Sequence, residues 1–147
     1  MNQTEIKWEP SMFIGERTID EQHKKLFDQI DKITQILSSS DINMGLLRET
    51  NHFLYLYFKK HFSYEEEYMI KNKFPSFEGH KKVHQTFIQF YEDFQKEIKE
   101  KSTSKNFSSL DVKEMLEKVR EYLGYWLVNH IKGMDQIYAK YIRNHSK

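Results

Sequence analysis

The sequence contains no cysteine. Disulfides, thiolate metal sites and cysteine nucleophiles are therefore excluded. Proline is scarce, with 2 residues, and glycine contributes only 5. The many tight turns of an all-β fold need more of both. An excess of one charge is also missing: 23 Lys and Arg face 22 Asp and Glu, a formal net charge of +1. That balance gives no electrostatic case for nucleic acid or an acidic membrane surface. No run approaches the roughly 20 apolar residues of a membrane span. Met1–Pro10 is polar and lacks the apolar segment of a secretory signal. The expectation is a soluble, cytoplasmic chain with no nucleic-acid partner and no membrane insertion. Its 147 residues fit a single domain, 1–147, which at this size buries roughly 68–70% of its unfolded surface.

What is abundant is aromatic: 15% of the chain, with 11 Phe and 9 Tyr. Together with few turn formers, this predicts an all-α fold of long helices and short joins. Residues 1–17, with Trp8, Pro10 and Gly15, read as an extended N-terminal arm. Four segments then show apolar steps of three and four, the mark of a helix stripe facing a core. A first helix over about 18–37 carries Ile19, His23, Leu26, Ile30, Ile33 and Leu37. Asp41 can cap a second, over about 42–71, with Leu47, Thr50, Leu54, Tyr57, His61, Tyr64 and Tyr68. Pro75 marks a turn and Ser76 can cap a third, over about 76–100, with Phe77, His80, His84, Phe87, Tyr91, Phe94 and Ile98. A polar, Ser-rich stretch over 101–109 reads as a loop. The fourth, over about 109–143, carries Val112, Leu116, Val119, Leu123, Trp126, His130, then Gly133 or Met134, then Ile137. Short connections predict an up-down-up-down antiparallel four-helix bundle.

The informative residues are the histidines, seven in all. His23, His61, His80, His84 and His130 fall on the stripes, and every helix contributes at least one. A lone His on an apolar face is usually a satisfied core residue. Five converging on one core reverse that expectation, because burying imidazoles without partners costs several kcal/mol. A metal takes the unprotonated ring nitrogen and leaves the other N–H for an acceptor. His80 and His84 are i,i+4 and share a face, as do His61 and Glu65. Glu65 is therefore the inward candidate of the run Glu65-Glu66-Glu67. His52 lies about half a turn out of phase with His61 and reads as a non-ligand; His145 sits in a polar tail. Asp135 is five residues after His130, ~140° round a regular helix. It joins the site only if the helix is unwound or π-bulged there, which Gly133 would ease; otherwise it is an exposed helix residue.

These pieces resemble a known family. Ile19-Asp20-Glu21-Gln22-His23-Lys24-Lys25-Leu26-Phe27, then His61-Phe62-Ser63-Tyr64-Glu65-Glu66, then His80 and His84, then Trp126-Leu127-Val128-Asn129-His130-Ile131 followed by Asp135, resemble the hemerythrins, in particular their single-domain bacterial members. The likeness spans about residues 8–140. It implies two iron ions (Fe2+/Fe3+) with an oxo or hydroxo bridge. His80, His84 and His130 would bind one iron, His23 and His61 the other, and Glu65 and Asp135 would bridge them. Three imidazoles and three bridges close the first iron at six ligands; the second, with two imidazoles, keeps one vacancy for dioxygen. Leu26, Phe62, Trp126, Leu127 and Ile131 flank the ligands and would form a dry oxygen pocket, with Leu127 or Trp126 touching the gas. Their bland reading is plain core.

The implied function is reversible dioxygen binding for transport, storage or delivery, with an oxygen-consuming enzyme as a possible recipient, and no enzymatic activity. Imidazole also suits zinc, copper and nickel, but a single zinc takes four ligands where seven are on offer. Carboxylate-rich di-iron bundles use two Glu-x-x-His motifs, and this chain has one match, Glu49 to His52, facing the wrong way. The rival readings are a di-iron redox enzyme or nitric-oxide or oxygen scavenger, and a sensory module that lacks a fused signalling domain.

Overall fold

The N-terminal arm is tied down before the first helix begins. Gly15 adopts φ 96°, a conformation that glycine reaches without a Cβ clash. That bend lets the Asp20 carboxylate accept the N–H groups of Ile14 (2.8 Å) and Gly15 (3.1 Å). Helix α1 (Arg17–Leu37) starts there, its first turn capped by the Glu16 side chain, which accepts from the Thr18 N–H. In this computed structural model residues 6–40 and 42–145 are described. The arm is not wholly extended: Pro10–Met12 forms a 3-10 turn, with Pro at its start and Met12 fully buried.

Helix α2 (Met44–Lys71) is capped by Asn43, whose side chain accepts from the Leu46 N–H. Asp41, the expected cap, lies outside the described residues. After α2, Lys73 takes a left-handed conformation (φ 56°), and the Phe74 N–H reaches back to the Met69 carbonyl. This is the six-to-one bond of a Schellman ending, with Phe74 packed in the same cluster as Met69. Helix α3 (Phe77–Ser102) follows. Ser76 stands at its N-cap but makes no capping bond, because its backbone (φ −95°, ψ 22°) is not extended. The α3 helix runs two residues past the expected end, which shortens the Ser-rich loop. Ser108 and Asp111 then form a capping box at the start of α4 (Ser109–His130). Ile131–Asp135 is a π-turn, and α5 (Gln136–His145) continues the same rod.

The expected antiparallel four-helix bundle is the fold. Its closest backbone approaches are α2 with α3 and α1 with α4. Between α3 and α4 large rings meet instead, Phe87 on Trp126 and Phe90 on Tyr122, at centroid separations of 3.8 and 3.7 Å. No helix among the described residues is long and apolar enough to cross a membrane.

Two stripes differ from expectation. On α2 the buried positions are Leu47, Asn51, Leu54, Phe58, His61, Phe62, Glu65 and Met69. Thr50, Tyr57, Tyr64 and Tyr68 are only half-buried, so the inward face lies about one residue further round. The tyrosines misled because their rings are apolar while their hydroxyls seek water. On the fourth rod, Ile137 is 60% exposed and Tyr138 is fully buried. The π-turn inserts one residue, which advances every later inward position by one. Leu37, Phe77, Trp126 and Met134 are half-buried and Gly133 is exposed.

Candidate metal centre

Each helix brings its polar side chain to one layer of the bundle because the apolar period places it there. His23 lies one turn before Leu26 on α1, and His80 and His84 follow the period that buries Phe87 and Tyr91 on α3. His61 and Glu65 share the inner face of α2. The π-turn does the same for Asp135: it widens the helix so that residue i+5 from His130 faces inward, fully buried. The conditional expectation for Asp135 is met by this bulge.

The structure brings all seven expected ligand residues together. One set joins Glu65, His80, His84, His130 and Asp135, another His23, His61 and Glu65; within each set one donor atom per residue lies within 4.8 Å of all the others. Asp135 faces both ways. Its Oδ1 is 3.0 Å from His80 Nε2 and 3.1 Å from His130 Nε2, and its Oδ2 is 3.4 Å from His23 Nε2. Glu65 also faces both ways, with Oε1 3.1 Å from His61 Nε2 and 3.6 Å from His84 Nε2, and Oε2 3.5 Å from His23 Nε2. His52 and His145 are exposed and apart from this layer.

The polar atoms here are buried yet not satisfied by one another. Both His23 ring nitrogens, Glu65 Oε1 and both Asp135 oxygens have no hydrogen-bond partner. Left so, each would cost about 1–3 kcal/mol or more. Oxygen and unprotonated imidazole donors aimed at a common point fit metal ions, and the carboxylates suit a pair better than one. The outer nitrogens have acceptors where the geometry allows. His61 Nδ1 lies 2.7 Å from Gln22 Oε1 and His84 Nδ1 lies 2.8 Å from Glu66 Oε2. These contacts put the proton on Nδ1 and turn Nε2 inward. Tyr138 donates its hydroxyl to Glu65 Oε2 at 2.5 Å.

The electrostatics follow from that crowding. Burial opposes ionisation of Glu65, yet the facing imidazoles, His61 foremost, hold its carboxyl well below the ordinary carboxylate range. Asp135 is lowered as well: burial and the Glu65 charge push it up, and His130 and His80 outweigh them. Burial pushes His23 down, but Glu65 and Asp135 carry it above the usual histidine value. Burial lowers His84. Burial and the two carboxylates raise Tyr138 well above an ordinary phenol, so it stays a donor.

Aromatic and aliphatic residues close the layer. Phe62 stacks on His84 (3.8 Å, 8°) and the Trp126 indole stacks on His130 (4.3 Å, 13°). Leu26, Phe62, Leu127 and Ile131 are buried in one apolar cluster, with Trp126 half-buried against it.

A model of the hemerythrin HHE cation-binding domain matches residues 15–142 of this sequence. The chain belongs to the hemerythrin family. Among the relatives of this hemerythrin, a bacteriohemerythrin of Stenotrophomonas maltophilia is 25% identical over 95% of this chain and 83% of its own. A hemerythrin-like protein of Naegleria gruberi is 30% identical over 90% of both, and a hemerythrin of Phascolopsis gouldii is 28% identical over 87% and 85%. Hemerythrins bind non-haem iron, and the buried donors of this one fit it. Gln22, Glu66 and Tyr138, which hold His61, His84 and Glu65 from outside, were given no role by the sequence, Glu66 having been set aside in favour of Glu65. Their signal was faint: Gln22 precedes His23 in the motif, Glu66 follows Glu65, and Tyr138 is shifted out of phase by the π-turn.

Proposed function

We propose that this chain binds dioxygen reversibly at two irons held by His23, His61, Glu65, His80, His84, His130 and Asp135. The observation that carries the reading is the asymmetry of the donor layer. Three imidazoles gather on the Oδ1 side of Asp135 and its partners, while His23 and His61 stand on the other side. Glu65 and Asp135, which face both groups of imidazoles, would be shared by two irons, and the His23–His61 side would offer its iron one protein donor fewer than the other side. Two ferrous ions held by these residues would supply the two-electron redox chemistry that reversible dioxygen binding needs.

The chain's own residues do the rest. Gln22 and Glu66 fix the tautomers of His61 and His84. Tyr138 steadies Glu65 through a hydrogen bond that strengthens with the charge on the carboxylate. Leu26, Phe62, Leu127, Ile131 and Trp126 form the wall that excludes water, and a dry wall keeps the bound gas from being protonated and lost. The whole chain acts as one domain in the cytoplasm, and its proposed use is oxygen transport, storage or delivery to an oxygen-consuming enzyme rather than catalysis.

The test is an optical spectrum of iron-loaded protein, reduced without air and then exposed to it. A visible charge-transfer band that forms in air and fades under argon, through repeated cycles, is the expected result. Rapid oxidation with stoichiometric hydrogen peroxide, or sustained turnover with a reductant, would make the chain a redox enzyme or a scavenger of oxygen or nitric oxide instead.

A further inference from the structure

Two outer partners hold metal-facing rings in the same way, yet they differ in charge. Gln22 accepts from His61 Nδ1 at 2.7 Å, and Glu66 accepts from His84 Nδ1 at 2.8 Å. A neutral amide oxygen is therefore enough to set the proton and aim the ring. The negative charge of Glu66 needs a second reason. Exposure supplies one: Gln22 is buried, whereas the Glu66 side chain is 20% exposed. Glu66 meets water on one side and a proposed ligand on the other.

The donor layer is sealed. His23, Glu65 and Asp135 have no exposed surface, and none of the other four ligand residues exceeds 6%. Iron that loads into the folded chain needs a way in. Two surface grooves reach the outer partners. The one between α2 and α3, about 370 Å³, has Phe62 and His84 among its walls and sets Glu66 and Glu92 against one cation, Lys59. The one between α1 and α2, about 270 Å³, reaches Gln22 and sets Arg17, Lys25 and Lys60 against one anion, Glu21. Either has room for a divalent ion with its first waters, about 30 Å³ each, so charge and not size tells them apart. In the first groove the Lys59 ammonium is also drawn back one turn along α2, 3.3 Å from the Tyr55 hydroxyl, and that hydroxyl donates to Glu92 at 3.2 Å.

We propose that ferrous iron enters the centre through the α2–α3 groove, with Glu66 as the receiving carboxylate and His84 as the door. The two carboxylates raise the local concentration of a hydrated divalent cation, while the three cations of the other groove repel it. Carboxylate oxygen and imidazole nitrogen can replace the waters of the ion in turn. The His84 ring spans the wall: its Nδ1 meets Glu66, and its Nε2 lies 3.6 Å from Glu65 Oε1. Swinging that ring aside breaks its bond to Glu66, and the incoming ion takes the place of the N–H at the carboxylate. No proton has to leave Nδ1. The route rests on the reading of the layer as an iron centre, but it is tested by how fast iron enters and not by what the loaded centre does.

Timed loading of the metal-free, full-length chain with ferrous iron under argon tests it, quenched with a chelator and read as iron retained per chain. Glu66→Gln keeps an acceptor for His84, as Gln22 does for His61. It should reach the same final iron content about tenfold more slowly, the low end of what a charged cleft does to an association rate. Lys59→Glu should load faster and Glu92→Gln more slowly, and neither position is in the donor layer. Lys25→Glu/Lys60→Glu, in the other groove, should leave the rate unchanged. Added salt should narrow these differences. Loading of Glu66→Gln at the unaltered rate, unchanged rates in both Lys59→Glu and Glu92→Gln, or a Lys25→Glu/Lys60→Glu variant that gains as much speed as Lys59→Glu would overturn the route alone. An unaltered chain that retains no iron would overturn the centre and the route together.

Discussion

The same four helices build two layers on different terms. Toward the α1–α2 and α3–α4 loops the interior is Ile30, Ile33, Leu54, Phe94, Leu116 and Val119, all buried and apolar. At the other end, where α2 turns into α3, five imidazoles and two carboxylates occupy equivalent inward positions, capped by a smaller cluster of Ile14, Ile19, Met69, Phe74 and Tyr138. The apolar layer is held by area removed from water, a force without direction. The polar layer is held by atoms aimed at a point, and without an ion several of those atoms are unsatisfied. One layer should answer to lost volume, the other to lost donors.

The largest expected effect separates the two. A His80→Ala/His84→Ala double variant should lose nearly all bound iron, measured as metal per chain, while its helical circular dichroism persists on the strength of the distal layer. A variant that unfolds outright would show that the apolar layer does not stand alone. Phe94→Ala is the mirror image: about 3–5 kcal/mol lost in denaturant unfolding, with iron per chain unchanged. Tyr138→Phe comes next. It removes one hydrogen bond to a charged carboxylate, a loss of about 1.5–3 kcal/mol, and should shift the optical band of the iron-loaded protein, which Phe94→Ala should not.

Acidity sharpens the contrast in the iron-free protein. Glu65 is held below the ordinary carboxylate value of 4.5, so its share of stability is complete above that value and is lost as pH falls through the lowered one. His23 is held above 6.5, so its share is complete below 6.5 and is lost as pH rises through the raised value. Amide hydrogen exchange, corrected for its intrinsic pH dependence, should therefore show the polar layer loosening on both flanks while the Phe94 layer stays protected. Uniform loosening of both layers would erase the distinction. The smallest effect concerns the arm: a Cβ on Gly124 would collide with the side chain of Ile6, so Gly124→Ala should cost about 1–3 kcal/mol and expose the arm to proteolysis.

Much of this was legible because helical period is a strong signal. On α1 and α3 nearly every expected inward residue is buried, and the five histidines declared themselves by sitting where apolar residues belong. The second helix was harder. It carries Phe53, Leu56 and Ile70 on its exposed side, so apolar residues run round it and the tyrosines drew the face off its true line through Phe58, Glu65 and Met69. Asp135 was legible only as a condition, since i+5 is out of phase until the helix widens, and the same widening hid Tyr138. Gln22 and Glu66 were legible only as neighbours of His23 and Glu65, and Gly124 was not legible at all. What each does depends on a neighbour far away in sequence, His61, His84 and Ile6, and no local pattern encodes that pairing.

The chain has two tryptophans. Trp8 lies in the arm beneath the Lys24 ammonium, and Trp126 lies flat on His130. An indole stacked on a ring proposed to hold iron is a fluorophore wired to that iron, because a bound transition metal would offer its excited state a fast route to the ground state. Emission from a Trp8→Phe variant should fall as iron is loaded and recover when a chelator removes it. The protein thus carries its own unlabelled gauge of how full its centre is.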